Sequence, residues 1–528
     1  MARTPLFGML KRAYQIARLA NRHNAPSAPE LVGIRREAVS RRQFMKSAAA
    51  ASTLAGSSLL TTGCPSTDAM GRVVIVGGGI AGLNAAFTLK KAGIRAKIYE
   101  ASTRAGGRMW TARDLMGFGL TTELGGEFID TGHKEMRLLA HTFDLELLDT
   151  TEPAESALIN DAYYFNDQFY TEEQIIEAFE PLAPQIDSDF ALAGDFDYTD
   201  ANPFAIELDN LTLAEYLDQI GATGFLRELL DVAYVTEFGL ATEEQSPFNL
   251  IWLIGTDTSD GFKIFGDSDE RFKVKGGNQL IVDRLAECVE NQIYLEHRLE
   301  AISRQGEAYV LHFDGPNGEN VDVVADTVIM TIPFSILRNV DIQFELPVKK
   351  FQAIQELGYG TNAKLILGFD TRIWRDQGLA GGVFTDLPFQ LCWDSSRMQL
   401  GEQGSLTLYS GGALGVSAGD GTPAERAAEM LPELEKVFPG TTNEFNDLVT
   451  RFHWPTFPFA LGSYACYKPG QVTGFGGAEI ERVDRLFFAG EHTSIEYQGY
   501  MNGGAATGKL AAINALKLAG LSHLLPNI

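Results

Sequence analysis

Val73-Val74-Ile75-Val76-Gly77-Gly78-Gly79-Ile80-Ala81-Gly82 is the stretch that decides the fold. Four apolar residues in a row, three of them Val, read as a strand buried on both faces, as in parallel sheets. Glycines at 77, 79 and 82 follow. Leu83 to Lys91 then carries apolar residues at helical spacing, and a second strand, Ala96-Lys97-Ile98-Tyr99, ends at Glu100 and Ala101. Strand, glycine turn, helix and strand in that order make the unit that binds a dinucleotide. Gly77 permits the tight turn, Gly79 lets the backbone approach a pyrophosphate, and Gly82 lets the helix pack close to the sheet. The N–H groups of the helix start, at Ile80 and Ala81, face the phosphates. Glu100 is placed to accept a hydrogen bond from the ribose hydroxyls.

Outward from this unit, Arg104-Ala105-Gly106-Gly107-Arg108-Met109-Trp110-Thr111 and Glu123-Leu124-Gly125-Gly126-Glu127-Phe128 add a second glycine–arginine loop, which a nicotinamide-only domain does not need. Near the other end, Leu486-Phe487-Phe488-Ala489-Gly490-Glu491-His492-Thr493 reads as a strand and turn. Gln498-Gly499-Tyr500-Met501-Asn502-Gly503-Gly504 opens a helix running through Ala515. Together with Val274–Leu280, Glu296–Ala301, Trp454 and Gly462-Ser463-Tyr464, these segments resemble the flavin-containing amine oxidase family, which includes monoamine, polyamine and L-amino-acid oxidases. The resemblance spans roughly residues 71–528.

It implies FAD as cofactor. The loop with Arg104, Gly107, Arg108, Gly125, Gly126 and Glu127 would contact the pyrophosphate and flavin, and Leu299 would touch the adenine with its backbone. Trp454 would lie near the flavin, Gly490 and Glu491 would hold the ribityl chain, and the Met501 N–H would face the flavin O2 end. The implied fold class is α/β, a discontinuous Rossmann-like FAD-binding domain (70–150, 269–333 and 452–528) with an inserted α+β substrate-binding domain (151–268 and 334–451).

The resemblance also implies oxidation of a C–N bond of a primary amine or amino acid to an imine, with O2 reduced to H2O2. FAD carries the hard step, so an aromatic pocket with few titratable catalysts is expected. Tyr500 and Tyr464 would be its flanking rings, with Tyr497 as an alternative for the second. Cys466 is offset from the place where monoamine oxidase attaches its flavin, and Ser463 stands there, so non-covalent FAD is expected. Arg338 falls where many members carry a Lys, and either holds a water, pairs with a substrate carboxylate, or forms a solvated or structural pair outside the pocket. Glu127, in place of the Met-Arg pair of amino-acid oxidases, would either disfavour a carboxylate and attract a cationic amine or make a structural hydrogen bond. An L-amino-acid oxidase or tryptophan 2-monooxygenase is the nearest rival. A lipid desaturase or isomerase is a second, and a non-catalytic flavoprotein binding module a third.

Composition bounds the rest. Hydrophobic residues at 45% and charged residues at 21% exclude a disordered chain. Four cysteines exclude a disulfide scaffold, and their spacing offers no metal site. A net charge of −26 argues against nucleic acid as a partner. The amino terminus is the exception, with ten Lys/Arg against two Asp/Glu in residues 1–46. There Ser40-Arg41-Arg42-Gln43-Phe44-Met45-Lys46 precedes an uncharged Ala/Ser/Thr-rich run to Gly63 and resembles a twin-arginine export signal (residues 1–69 with its linker). It implies the twin-arginine translocase as a partner and a periplasmic location. Cys64, after Leu60-Thr61-Thr62-Gly63, resembles a lipoprotein processing site and gives the alternative of a lipid anchor.

Overall fold

The strand Val73–Val76 lies at the centre of a five-stranded sheet, in register with Ala96–Tyr99 on one side and Thr327–Met330 on the other. Leu486–Phe488 and Ile293–Tyr294 complete it, and every pairing is parallel. The structure, a computed structural model, describes residues 70–259 and 261–527. The twin-arginine segment and Cys64 lie outside the described residues.

The unbroken apolar run at 73–76 has a structural cause: successive side chains feed different cores. Val73 and Ile75 join the layer of the helix Ile80–Lys91, with Ala85, Leu89 and Ala512. Val74 and Val76 face Leu311, Phe313 and Val323, which belong to a four-stranded sheet covering the opposite side. The long carboxy-terminal helix Met501–Leu518 packs on Ile80–Lys91. A Cβ at Gly508 would lie 2.1 Å from the Ala81 carbonyl oxygen, so this close approach requires glycine.

A second, seven-stranded sheet runs in the order Phe445–His453, Ala363–Phe369, Gly404–Ser410, Leu391–Asp394, Leu379–Thr385, Ile159–Phe165, Gln168–Tyr170. Its pairings are antiparallel except that between Leu379–Thr385 and Ile159–Phe165. Helices that include Leu213–Gln219 and Gly224–Phe238 pack through Leu217, Leu226, Leu229 and Leu230 into a core of their own. The architecture is α/β, a Rossmann-like parallel sheet drawn from the start, middle and end of the described chain, joined to a mainly antiparallel sheet with helices. Two edges differ from the sequence expectation. Asp341–Ile342 pairs with Ala301 and Ile302 in the four-stranded sheet, and the strand Phe445–His453 runs past residue 451. Among the described residues no helix is long and apolar enough to cross a membrane.

Candidate active site

The strand order reverses beside Val73–Val76, and ligands of such sheets bind outside the strand ends at that point. A cavity of about 330 Å³ opens there. Gly77 turns the chain at φ +102°, and a Cβ on it would lie 2.6 Å from the Thr331 hydroxyl. Gly79, Ile80 and Ala81 line the cavity from the helix start, while Gly107 approaches Gly79 from the second loop. A Cβ at Gly125 would lie 1.9 Å from the Arg108 carbonyl oxygen, and one at Gly126 would strike the Met501 side chain. Trp454 lies against Gly125 and donates its indole N–H to the Leu124 carbonyl at 3.1 Å.

The charges of this end are arranged for a dinucleotide. The helices Ile80–Lys91 and Met501–Leu518 both start without a side-chain cap or an acid in the first turn, which leaves their N–H groups for an anion. Glu100 accepts the Gly78 N–H at 2.7 Å and the Ser102 N–H at 2.8 Å, which fixes its carboxylate on the cavity wall beside Ala101. Arg104 donates to the carbonyls of Gly107 and Met109 and stacks over Trp110. Arg108 joins Glu491 at 2.7 Å and the Ser463 carbonyl at 2.8 Å, tying the second loop to the Gly490–Glu491 turn. Backbone donors, a carboxylate for ribose hydroxyls and a glycine floor together fit FAD.

Three of the residues singled out in the sequence do not line the cavity. Gly82 is one; its Cβ would fall 2.0 Å from the Gly77 carbonyl, which is the close helix–strand packing expected of it. The Leu299 side chain is buried among Tyr99, Ile302 and Phe313, and its neighbour Arg298 lines the cavity. Arg338 is the clear correction. It is outside the cavity, where its guanidinium donates to the carbonyls of Phe334 at 3.1 Å and Leu357 at 2.8 Å and lies over the Tyr359 ring. A residue that ends the short helix Phe334–Leu337 spends its donors on nearby carbonyls. It neither faces the reacting centre nor anchors a carboxylate.

The other end of the cavity is aromatic. Tyr464 and Tyr500 both line it, as do Phe128, Phe238, Trp393 and Tyr409. The Tyr464 hydroxyl meets that of Tyr409 at 2.9 Å and donates to the Thr236 carbonyl at 3.1 Å. Tyr500 donates to Glu237 Oε1 at 2.7 Å. Tyr497 points away and donates to the Gly132 carbonyl. Cys466 is fully buried and accepts the Asn249 amide, as a small packed residue does.

Glu127 is the second correction. It is buried, 5% exposed, and lies between two ammonium groups, Lys273 at 2.7 Å and Lys364 at 2.9 Å. Burial alone would raise its pKa, but the two lysines outweigh it and hold the carboxyl below its usual range. Its charge is neutralised in place, so it has none to offer a substrate. Lys364 also donates to the carbonyls of Glu123 and Gly125, which fixes it under the second loop.

The acids that carry no such partner are ones the sequence reading missed. Burial pushes Glu237 up to about 7 and Asp130 up to about 6. Burial, with the charges of Glu237, Asp130, Asp161 and Glu127, raises Glu270 as well. His133 brings no compensating charge. Its Nδ1 accepts the Asp130 N–H at 3.0 Å, and burial lowers its pKa to about 4. One signal for Glu237 was available: it is an acid in the last turn of Gly224–Phe238, where the helix dipole disfavours a negative charge and no basic residue offsets it. Lys364 and Lys273 carried no comparable signal.

A flavin-type dinucleotide cradle opening onto an aromatic, acid-bearing chamber is the arrangement of a flavin-dependent oxidoreductase. The comparisons specify it further. The chain belongs to the flavin containing amine oxidoreductase family, whose model matches residues 80–516. It is 24% identical over 476 residues to the flavin-containing amine oxidase A of Equus caballus, covering 85% of each chain. It is also 24% identical over 481 residues to an L-amino-acid oxidase of Bothrops moojeni, covering 85% of this chain and 90% of that one. Cyclohexylamine oxidase from Brevibacterium oxydans shares the fold at TM-score 0.72 and 22% identity, over 85% of this chain and 98% of that one. The protein is an FAD-dependent amine oxidase, an oxidoreductase acting on CH–NH2 donors.

Proposed function

We propose that the substrate is a primary amine without a carboxylate, oxidised to an imine outside the cytoplasmic membrane. One observation carries the substrate class: every cation lining the cavity is already engaged. Arg104 serves two carbonyls, Arg108 holds Glu491, Lys364 holds Glu127, and Arg298 meets Glu300 and Asp314. Glu237 and Glu270 also line the cavity, and neither forms an ion pair among the described residues. An amino acid would bring a carboxylate to a cavity whose lining cations are already committed to other groups.

The residues proposed to hold FAD are Gly77, Gly79, Ile80 and Ala81 at the pyrophosphate, Glu100 at the ribose, and Arg108, Glu491 and Met501 towards the flavin. Bound there, FAD supplies acceptance of a hydride equivalent from the carbon beside the amine and its passage to O2. The chain's own part is placement and exclusion of water. Tyr464, fixed by Tyr409, and Tyr500, fixed by Glu237, would flank the amine. Trp393, packed edge-on to Phe128 and Tyr409, would close the chamber to solvent.

Export rests on Arg41-Arg42 and the uncharged run that follows, with the translocase carrying the folded, FAD-loaded protein and Cys64 available for a lipid anchor. Replacing both arginines by lysine should leave the activity in the cytoplasm, and mass analysis of the mature amino terminus reads the lipid directly. For the substrate class, peroxide release by the purified holoprotein is compared between tryptamine and tryptophan. Oxidation of tryptamine alone is expected; oxidation of tryptophan alone would transfer the assignment to the amino-acid oxidases.

A further inference from the structure

We propose that Glu237 receives the substrate as an ammonium ion and takes one of its protons, delivering the neutral amine that oxidation requires. The inference rests on the amine reading above and adds a residue and a step to it. An alkyl amine is a cation at neutral pH, and its carbon gives up a hydride only when the nitrogen holds a free lone pair. A proton therefore has to leave inside the cavity, and a group must take it.

The other cavity carboxylates, Glu270 apart, are engaged. Glu127 is held by two lysines, Glu100 by two backbone N–H groups, and Glu491 by Arg108 and the Gly499 N–H. Asp130 accepts the Ser268 hydroxyl and the Glu270 N–H. Asp161 accepts the Asn160 amide, and together with Glu270 it stands on the wall shared with a separate, smaller cavity of about 50 Å³. Burial holds the hydroxyls of Tyr464 and Tyr500 well above their usual pKa, so neither is a base at neutral pH.

Glu237 differs in two respects. It is hydrogen-bonded to Tyr500, the residue directly before the helix whose Met501 and Gly504 line the cofactor end. In addition, only one of its oxygens is used: Oε1 takes the tyrosine proton, and no group among the described residues donates to Oε2. That oxygen is left for a substrate N–H.

The groups facing Glu237 are Tyr500, Tyr409, Tyr464, Asp130 and Glu270, and none is a cation. Burial sets its pKa at about 7, with the Tyr500 bond pulling it down and Asp130 pushing it up. A base is most useful when its pKa lies near the working pH. In a chamber that penalises charge, an ammonium–carboxylate pair also shifts towards amine and acid. The step is a proton transfer alone. One N–H bond breaks, an O–H bond forms at Oε2, and the electron pair stays on nitrogen; after product release the proton passes to bulk water.

The test uses the holoprotein without O2 and follows flavin reduction by two amines. One is a basic alkyl amine; the other is a β-fluorinated amine that is already neutral at the working pH. Glu237→Gln should lower kcat/KM for the basic amine by about 100-fold or more at pH 7. It should leave the fluorinated amine little changed, and Glu237→Asp should restore part of the loss. The low-pH limb of the wild-type profile should disappear in Glu237→Gln. In Tyr500→Phe it should move to higher pH, because the lost bond favoured the ionised carboxylate. Equal losses on both amines, with flavin retained, would make Glu237 a structural residue and overturn the proposal, as would no loss on either. If the wild type oxidises only an amino acid, the amine reading itself fails, an outcome separate from any variant's behaviour.

Discussion

The two ends of the cavity are built from opposite materials. The cofactor end consists of glycine backbone, helix starts and arginines already held by carbonyls or by Glu491, an environment that accepts a polyanion. The chamber end consists of aromatic rings and of carboxylates that form no ion pair among the described residues, the environment in which a cationic amine is proposed to bind. Two acids show the difference most directly. Glu127 faces Lys273 and Lys364, whereas Glu237 faces only tyrosines and other acids. A carboxylate's function here depends on which neighbours have already taken up its charge.

The comparison can be broken first at the cofactor end. Gly125→Val puts side-chain atoms where the Arg108 carbonyl already lies. With strain of ~3 kcal/mol, FAD affinity should fall about 100-fold. The flavin-to-protein absorbance ratio of the purified protein reads this loss.

Next in size is Lys364→Met, which removes one of the two charges on Glu127 and leaves two buried carbonyls without their donor. The cost should be about 3 kcal/mol in urea unfolding. The same change should leave the pH dependence of Glu237 in place, since Lys364 does not act on it. A smaller effect is expected for Tyr409→Phe, which frees the Tyr464 hydroxyl of one partner. A loss of about 1 kcal/mol there lowers kcat/KM roughly fivefold.

The smallest effects concern pH and Arg338. Glu237 and Asp130 have folded pKa values of about 7 and about 6, raised from 4.5 and 3.8. The folded protein thus binds more protons than the unfolded chain between these limits, and stability falls as pH rises through them. Glu237→Gln should flatten that fall, read as Tm against pH. Arg338→Met should cost about 1 kcal/mol of stability for its lost carbonyl bonds and leave the amine KM unchanged.

Much of the cofactor end was legible in the sequence because local backbone builds it. A strand, a glycine turn and a helix start are neighbours along the chain, so Gly77, Gly79, Ile80, Ala81 and Glu100 could be placed from spacing alone. Tyr464 and Tyr500 were placed through the family resemblance. The chamber was less legible because its charges are settled by partners far away in the chain. Nothing near Glu127 in sequence announces Lys273 or Lys364, and nothing near Arg338 shows that the Leu357 carbonyl will take its guanidinium. Glu237 lies more than two hundred residues from Tyr500, and only its place at a helix end hinted at a strained charge.

The claim that the chamber is a receptor for cations is tested most directly by binding alone. Benzyltrimethylammonium, which has no proton to lose and no lone pair to free, and benzoate, of similar size and opposite charge, are titrated into the oxidised holoprotein. Flavin difference spectra and calorimetry report the binding. The account predicts saturable binding of the ammonium ion, weakened in Glu237→Gln, and none of benzoate over the same range. Tight binding of benzoate with no response to the ammonium ion would contradict it.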